Sequence, residues 1–450
     1  MNRLLIISFF KTKASWIGLL SIFFAGMLSL YFGGLFIEET QENEQRAILL
    51  QKENIERNVQ HHPKDIGLLL YYQKFGLVNQ VSPLASLAIG QRDISPSIQR
   101  VNIRNLEEQK YNSRLANPVY QLIGNFDFSF VLVYFIPLVI IALCFNLISE
   151  EKEGGTWALA LSQTNNTKGM IRVKLLLRYG STLVVLALLL IIAKFYLSIP
   201  PDQKYAAFCL VSFAYVSFWF AVVWWVISFH LSSSKNALVL LTIWVFLNVI
   251  VPAAISGTMS LVYPMPETFG TVVKSREGYH NKWDKEKAPT IQKFIKHYPQ
   301  LAQYKHPKGA RFSWFWYFAM QQMGDDEATA QARELQQKIK KRISLSKNTG
   351  MLFPSAHTQL VLNSLANVGL QNQLNFMQAL EQFHEKKRLY FYPKIFSQVA
   401  STTEKWNQHT LAKYEEQSGV NWFQVLLPLL LGIGVCLGAA RFNQRKFYHL

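Results

Sequence analysis

The chain has 450 residues, half of them hydrophobic, with 32 Phe, 19 Tyr and 11 Trp, and it carries a net charge of +18. A soluble chain of this length would spread its apolar residues at helical or strand period over two or three domains, whereas here they sit in blocks, which excludes an ordinary soluble fold. Cys144, Cys209 and Cys436 all fall inside those blocks, where a free Cys acts as a small hydrophobe, which excludes a disulfide framework or a CxxC metal site.

Residues 1–15 read "MNRLLIISFFKTKAS". Leu and Phe beside Arg3, Lys11 and Lys13 predict a short helix in the membrane interface, with cations at the headgroups and apolar side chains below. The block at 16–37 has a basic start but is longer than the ~7–15 apolar residues of a signal peptide, so it reads as a retained first span. Further blocks lie at 127–148, 180–199, 205–230, 237–262 and 422–440. Each is close to the ~20 residues a bilayer-spanning helix needs. The expected fold is an all-α polytopic membrane protein with six transmembrane helices.

Charge orients it. Twelve cations lie on one set of short segments: Arg3, Lys11, Lys13, Lys152, Lys168, Arg172, Lys174, Arg178, Lys235, Arg441, Arg445 and Lys446. Only Glu150, Glu151 and Glu153 oppose them there, so this face is expected to be cytoplasmic, with both termini and the tail 441–450 inside. Arg172, Lys174 and Arg178 would meet the inner lipid surface. The segments 38–126 and 263–421 then fall outside. The second carries 22 Lys and Arg against 13 Asp and Glu, a surplus more in keeping with a solvated surface than with an anion site.

In the first outer segment, "EETQENEQRAILLQKENIERNVQ" is helix-forming and should extend the first span. "LLLYYQKFGL" needs a hydrophobic partner, expected from the second outer segment. There, "DDEATAQARELQQKIKKRISLSK" shows Leu335, Ile339 and Ile343 at four-residue spacing. A helix pair broken near Gly369 follows, with Ser355 as N-cap after Pro354 and a second member apolar through Leu374, Met377, Leu380 and Phe383. The two segments together predict one mostly helical extracytoplasmic domain, with "RFSWFWYF" (311–318) in its core.

Chemistry is excluded piece by piece. There is no G-x-x-x-x-G-K-[ST] to cradle a nucleotide and no G-x-S-x-G elbow. "HEKKR" (384–388) starts like H-E-x-x-H but ends in Arg388, so the second zinc ligand is missing. Ionisable residues are nearly absent from the spans, which weighs against a proton-coupled pump. Lys194 and Asp127 would snorkel from the ends, and Pro137, Pro252 and Pro428 would kink their helices.

That leaves the connection 149–179. Glu150, Glu151 and Glu153 follow the second span, Gly154–Gly155 allow a sharp turn, and Thr156 can cap a new helix. Trp157, Leu159 and Leu161 form an apolar knob that a soluble partner could grip or that could float on headgroups. "SEEKEGGTWALALSQ" resembles the cytoplasmic loop of the ABC-2 type transporter permeases, in which E-[RK]-E-x-G-T is followed by leucines and LSQP. The match covers Glu151, Lys152, Glu153, Gly155, Thr156, Leu159, Leu161, Ser162 and Gln163. It departs at Trp157, where Leu is usual, and at Thr164, where Pro is. The outer domain is similar to that of a subgroup with an uncharacterised extracytoplasmic domain, with kin among permeases linked to copper-enzyme maturation and gliding motility.

The resemblance implies the membrane subunit of a bacterial ABC exporter in the cytoplasmic (inner) membrane. It would pair with a second permease copy or paralogue and with a separate ATP-binding subunit that carries ATP and Mg. The chain itself would bind no cofactor and no metal, contact lipid and no nucleic acid, and have no catalytic residue. The other function class that fits is a non-transporting ABC-linked membrane protein passing force or a signal to an envelope partner.

Overall fold

The computed structural model describes residues 2–92, 95–110, 125–155, 167–264 and 267–447. Helix α1 (Asn2–Lys11) breaks at Thr12, whose backbone is extended, and α2 (Lys13–His61) runs for 49 residues. At 1.5 Å per residue α2 is about 74 Å long, over twice a ~30 Å hydrocarbon core. Its polar second half projects beyond the bundle, as the helix-forming sequence there predicts. Short α3 (Ile66–Tyr72), β1 (Phe75–Asn79) and β2 (Ile98–Val101) follow.

The middle of the chain supplies four more spans: α4 (Phe128–Glu153), α5 (Thr167–Tyr196), α6 (Gln203–Ile227) and α7 (Ser233–Val262). Then come α8 (Glu267–His280), α9 (Lys287–His297), α10 (Trp314–Gly350), α11 (Pro354–Leu365), α12 (Leu370–Phe396), β3 (Ala412–Tyr414) and α13 (Trp422–Phe447). Among the described residues six helices are long and apolar enough to cross a bilayer: α2, α4, α5, α6, α7 and α13. The outer helices of this bundle leave Phe24, Val184, Phe195, Leu261 and Val435 exposed. Such broad apolar faces suit lipid rather than water.

The domain built from the two long segments is mostly helical but contains a three-stranded sheet of order β2-β1-β3, which the sequence does not announce. β1 runs antiparallel to β2, with Phe75 opposite Val101, and parallel to β3, with Leu77 opposite Ala412. The first segment thus finds its apolar partner in the second. Ile66, Leu69, Leu70 and Phe75 share one core with Phe294, Phe315, Trp316, Phe318 and Tyr392, so "RFSWFWYF" lies mainly in the core. Leu374 and Leu380 are buried, and Met377 and Phe383 pack partly against the cluster that holds Leu380.

Polar anchors lock the two segments together. His384 and Arg388, one helical turn apart on α12, are both buried and face the first segment. The Nε2 of His384 lies 2.9 Å from the Asn102 carbonyl, and Arg388 donates to the carbonyls of Ile103 and Arg104 and to Asp325 at 2.9 Å. The HEKKR stretch is therefore a structural clasp. Within the second segment a further polar cluster centres on Glu404, which accepts from Lys394 at 2.5 Å, Tyr390 at 2.7 Å and His409 at 3.1 Å. Burial alone would raise this carboxyl, but the three donors outweigh it and bring it from 4.5 down to about 2.

A carboxyl lowered by folding stabilises the fold fully above its unfolded value, and that stability is lost as pH falls through the folded one. The thermal unfolding midpoint should therefore fall as pH drops from about 4.5 to about 2, and Glu404→Gln should flatten this dependence. An unchanged slope in the variant would remove Glu404 from the account.

Two spans carry a wide turn immediately before a proline. In α4 a π turn occupies Val131–Phe135 ahead of Pro137, and in α7 another occupies Phe246–Ile250 ahead of Pro252. Proline lacks an N–H and its ring crowds the carbonyl four residues earlier, so the backbone widens there. In α4 the released carbonyls are taken by neighbours: the Tyr215 hydroxyl donates to Val133 at 2.9 Å and the Trp244 indole to Tyr134 at 3.1 Å.

The segment 263–421 does not all lie beyond the spans. The C-terminal turns of α10 and the whole of α11 form a hairpin between α6, α7 and α13. Pro354 and Phe218 both approach Gly432, and the Phe353 ring lies 6.3 Å from Phe246. Phe218 and Gly432 sit about 15–22 Å along their spans from the domain end, so the hairpin tip enters the bundle. Ser355 is not the N-cap of α11; Phe353 is, with Pro354 as first helical residue. The Ser355 hydroxyl instead lies 2.9 Å from that of Tyr215, and His357 Nε2 donates to the Val425 carbonyl. Asp127 does not snorkel either: it is buried, capping α4 through Phe130 N–H and Ser129 and accepting from Ile89 N–H at 2.8 Å.

Candidate functional site

The stretch that ends α4 is fastened to its neighbours at the cation-rich end of the bundle. Glu153 accepts from both the backbone N–H and the hydroxyl of Ser233, each at 2.8 Å, and so caps the start of α7. A carboxylate at a helix N-terminus is favoured by the orphan N–H groups and the helix dipole. Ser149 and Ser233 hydroxyls meet at 2.7 Å, and Asn236 donates to the Phe145 carbonyl at 3.2 Å. The short "SSSKN" connection and the base of 149–179 are thus one unit.

Glu151 pairs with Lys174 on α5. Arg178, two half-turns further along α5, does not simply face headgroups: it donates to the Leu143 carbonyl at 2.7 Å and lies over the Phe9 ring of α1. Helix α1 thereby meets α5, whose start carries the returning half of the connection. Lys11, Lys13 and Arg172 are exposed at the same end, and Arg3 lies in α1. Glu150 accepts from Asn146 at 3.0 Å.

Gly155 has φ +71°, a conformation that favours glycine, so the chain turns sharply there as the Gly-Gly pair predicts. Thr156, Trp157, Leu159 and Leu161 lie outside the described residues, so the acids and glycines at the base of the connection are placed and the apolar knob is not. α5 is already helical from Thr167, earlier than the expected span start at 180.

Sequence reasoning centred on charge and passed over a second polar locus at mid-height. Counted from the Ser149–Ser233 contact, Val133 and Asn248 are each about fifteen residues along, so the two π turns sit level, about 23 Å from that end. Between them and the hairpin is a cavity of about 190 Å³, lined by Tyr134, Asn248, Met259, Ser346, Ser355 and Gln359 among others. The signals that could have found it were Asn248 alone in an apolar run and the two prolines. Among the described residues no three His, Cys, Asp or Glu side chains gather as a possible metal set.

Residues 269–414 match a family model described only as a domain of unknown function, DUF3526. The matched stretch runs from α8 to β3 and includes the hairpin, but it leaves out β1, the central strand of the sheet. No curated protein and no solved structure matches the chain.

Proposed function

We propose that the chain is the membrane-spanning permease subunit of an ATP-driven transporter of the ABC-2 type, acting as an exporter. A separate ATP-binding subunit, holding ATP and Mg, grips the connection 149–179, and a second permease copy or paralogue completes the path. The chain sits in a bacterial cytoplasmic membrane with both termini inside and performs no hydrolysis itself. The observation that carries this reading is the fastening of the E-K-E-G segment. A lever passes force only if its base is fixed to what it moves, and Glu153 to Ser233 and Glu151 to Lys174 tie this base to α7 and α5. The resemblance of 149–163 to the permease loop supplies the partner, and six candidate spans supply a compatible frame.

Affinity purification of the chain from cells expressing the neighbouring ATPase should recover that ATPase. Leu159→Asp should cut the recovery at least tenfold while leaving the chain in the membrane, since a charge buried in an apolar groove is costly. Full recovery with Leu159→Asp would sink the coupling role.

A further inference from the structure

The cation surplus of the segment 263–421 is unevenly placed. No Asp or Glu occurs from Leu335 to Leu380, nor anywhere in α7 or α13, the two spans beside the end of α10. Within that stretch the last turns of α10 hold Lys338, Lys340, Lys341, Arg342 and Lys347. Lys338 turns back to Glu334 at 3.3 Å, and Arg342 donates to the Tyr263 carbonyl at 2.8 Å. Lys340 and Lys341 are exposed and pair with no carboxylate among the described residues.

Neighbours set the height of these cations. Tyr263 follows the last residue of α7, so Lys340 and Lys341 stand level with the domain-side end of that span. Lys347 donates at 2.8 Å to Gln424 in the first turn of α13, and Ser346 donates to the Met259 sulfur one turn inside α7. Trp422 and Phe423, at the same end of α13, are exposed, as aromatic rings are at the polar boundary of a bilayer. Gln337, Lys340, Lys341, Ser344, Lys347 and Asn348 succeed one another at three- and four-residue spacing and are all exposed, so they form one open face of α10. Leu335 and Gly350, on its other side, are buried. From Lys341 to Gly350 this face descends about 14 Å, and Leu352, 75% exposed, continues it at the hairpin tip. One leaflet's share of a ~30 Å hydrocarbon core is about 15 Å.

Polarity therefore falls with depth, from lysines through a hydroxyl and an amide to a leucine. A free phosphate or an acidic peptide would match only the top of the face. Bare acyl chains would leave Ser344 and Asn348 facing hydrocarbon, which is costly. A phospholipid matches all of it, with its phosphate at the lysines, its ester carbonyls at the donors of Ser344, Lys347 and Asn348, and a chain beside Leu352. Cations without nearby acids on these three helices favour a headgroup of net negative charge.

We propose that the open face of α10 is a binding site for one anionic phospholipid of the leaflet on the domain side, its phosphate at Lys340 and Lys341 and a chain reaching toward Leu352. The site stands whether or not the chain is a permease, and its test reads lipid occupancy rather than transport or ATPase binding.

The full chain in phosphatidylcholine nanodiscs would be doped with a phosphatidylglycerol that carries a diazirine near the end of one acyl chain, and the adducts mapped by mass spectrometry. Saturable adducts on the peptide holding Leu352 are expected. Replacing part of the phosphatidylcholine by unlabelled phosphatidylglycerol should displace them, and inorganic phosphate should not. Lys340→Gln with Lys341→Gln should lower labelling at sub-saturating probe about 25-fold, roughly fivefold for each cation at a membrane surface. Lys305 and Lys308 are exposed in the loop before α10, whose start is about 39 Å from Lys340. Lys305→Gln with Lys308→Gln should leave labelling unchanged. Adducts spread evenly over the apolar faces of the spans, displacement by inorganic phosphate, or equal losses in the two double variants would each overturn the proposal. The competition is read on the unaltered chain, so it decides the matter even if a variant fails to fold.

Discussion

Arg388→Ala should cost the domain about 3–5 kcal/mol, the usual penalty for breaking a buried ion pair from one side. Arg388 is 3% exposed and bridges three elements: α12, which carries it, the segment 103–107 of the first loop, and α10 through Gln322 and Asp325. Asp325 also accepts from the N–H groups of Leu106 and Glu107 at 2.9 and 3.1 Å. Removing the guanidinium leaves that carboxylate buried with neutral donors only and orphans the carbonyls of Ile103 and Arg104. Arg388→Lys should recover only part of the loss, because an ammonium cannot reach four acceptors spread around a planar fork.

Two comparisons separate this from generic damage to α12. Lys386→Ala, at an exposed position two residues away, should stay within about 0.5 kcal/mol of the parent. Arg388→Met with Asp325→Leu should lose less than Arg388→Met alone, since the pair is then removed together. Thermal unfolding followed by circular dichroism would report all of these. A loss under 1 kcal/mol for Arg388→Ala would falsify the clasp.

What the sequence showed and hid follows from the range of the interactions. The spans are legible because about twenty consecutive apolar residues is a local property, and the helical run of α2 beyond its span is local too. The sheet is not, because β1 pairs with a three-residue strand, Leu77 opposite Ala412, across most of the chain. Pro137 and Pro252 are visible, yet whether a proline bends a helix or opens a π turn depends on who takes the freed carbonyl, here Tyr215 and Trp244 from other spans. The hairpin was hidden by its own polarity. Ser355, His357 and Gln359 read as an aqueous surface, but Ser355 and His357 bond to groups on α6 and α13, so the segment can sit inside the bundle. At the candidate coupling element, acids and glycines were legible from the motif, while the use of Glu153 as a cap for α7 needed the fold to bring Ser233 alongside.

Gly33→Ala should destabilise the chain by about 2–3 kcal/mol, in the range of overpacking a closed core. Its sign is the informative part. An exposed glycine inside a helix is normally worse than alanine by roughly 0.5–1 kcal/mol, so the default expectation for α2 is a gain. At Gly33 a Cβ would lie 2.1 Å from the Ser86 carbonyl oxygen, and the obstacle is backbone rather than a flexible tip. Ser86 cannot yield cheaply: it ends the tight turn Pro83–Ser86, and the next residues are held to α4, with Ser129 N–H donating to the Leu87 carbonyl and Ile89 N–H donating to Asp127. Leu84, Ala85, Leu87 and Ala88 are all buried among the spans. Either α2 or this wedge must move, and a shift of α2 would carry the whole first span with it. Gly257→Ala on α7, where nothing stands within 4 Å of the added carbon, should be neutral or slightly stabilising in the same assay. Equal effects of the two substitutions on the unfolding midpoint would mean that α2 and the wedge do not meet as closely as described.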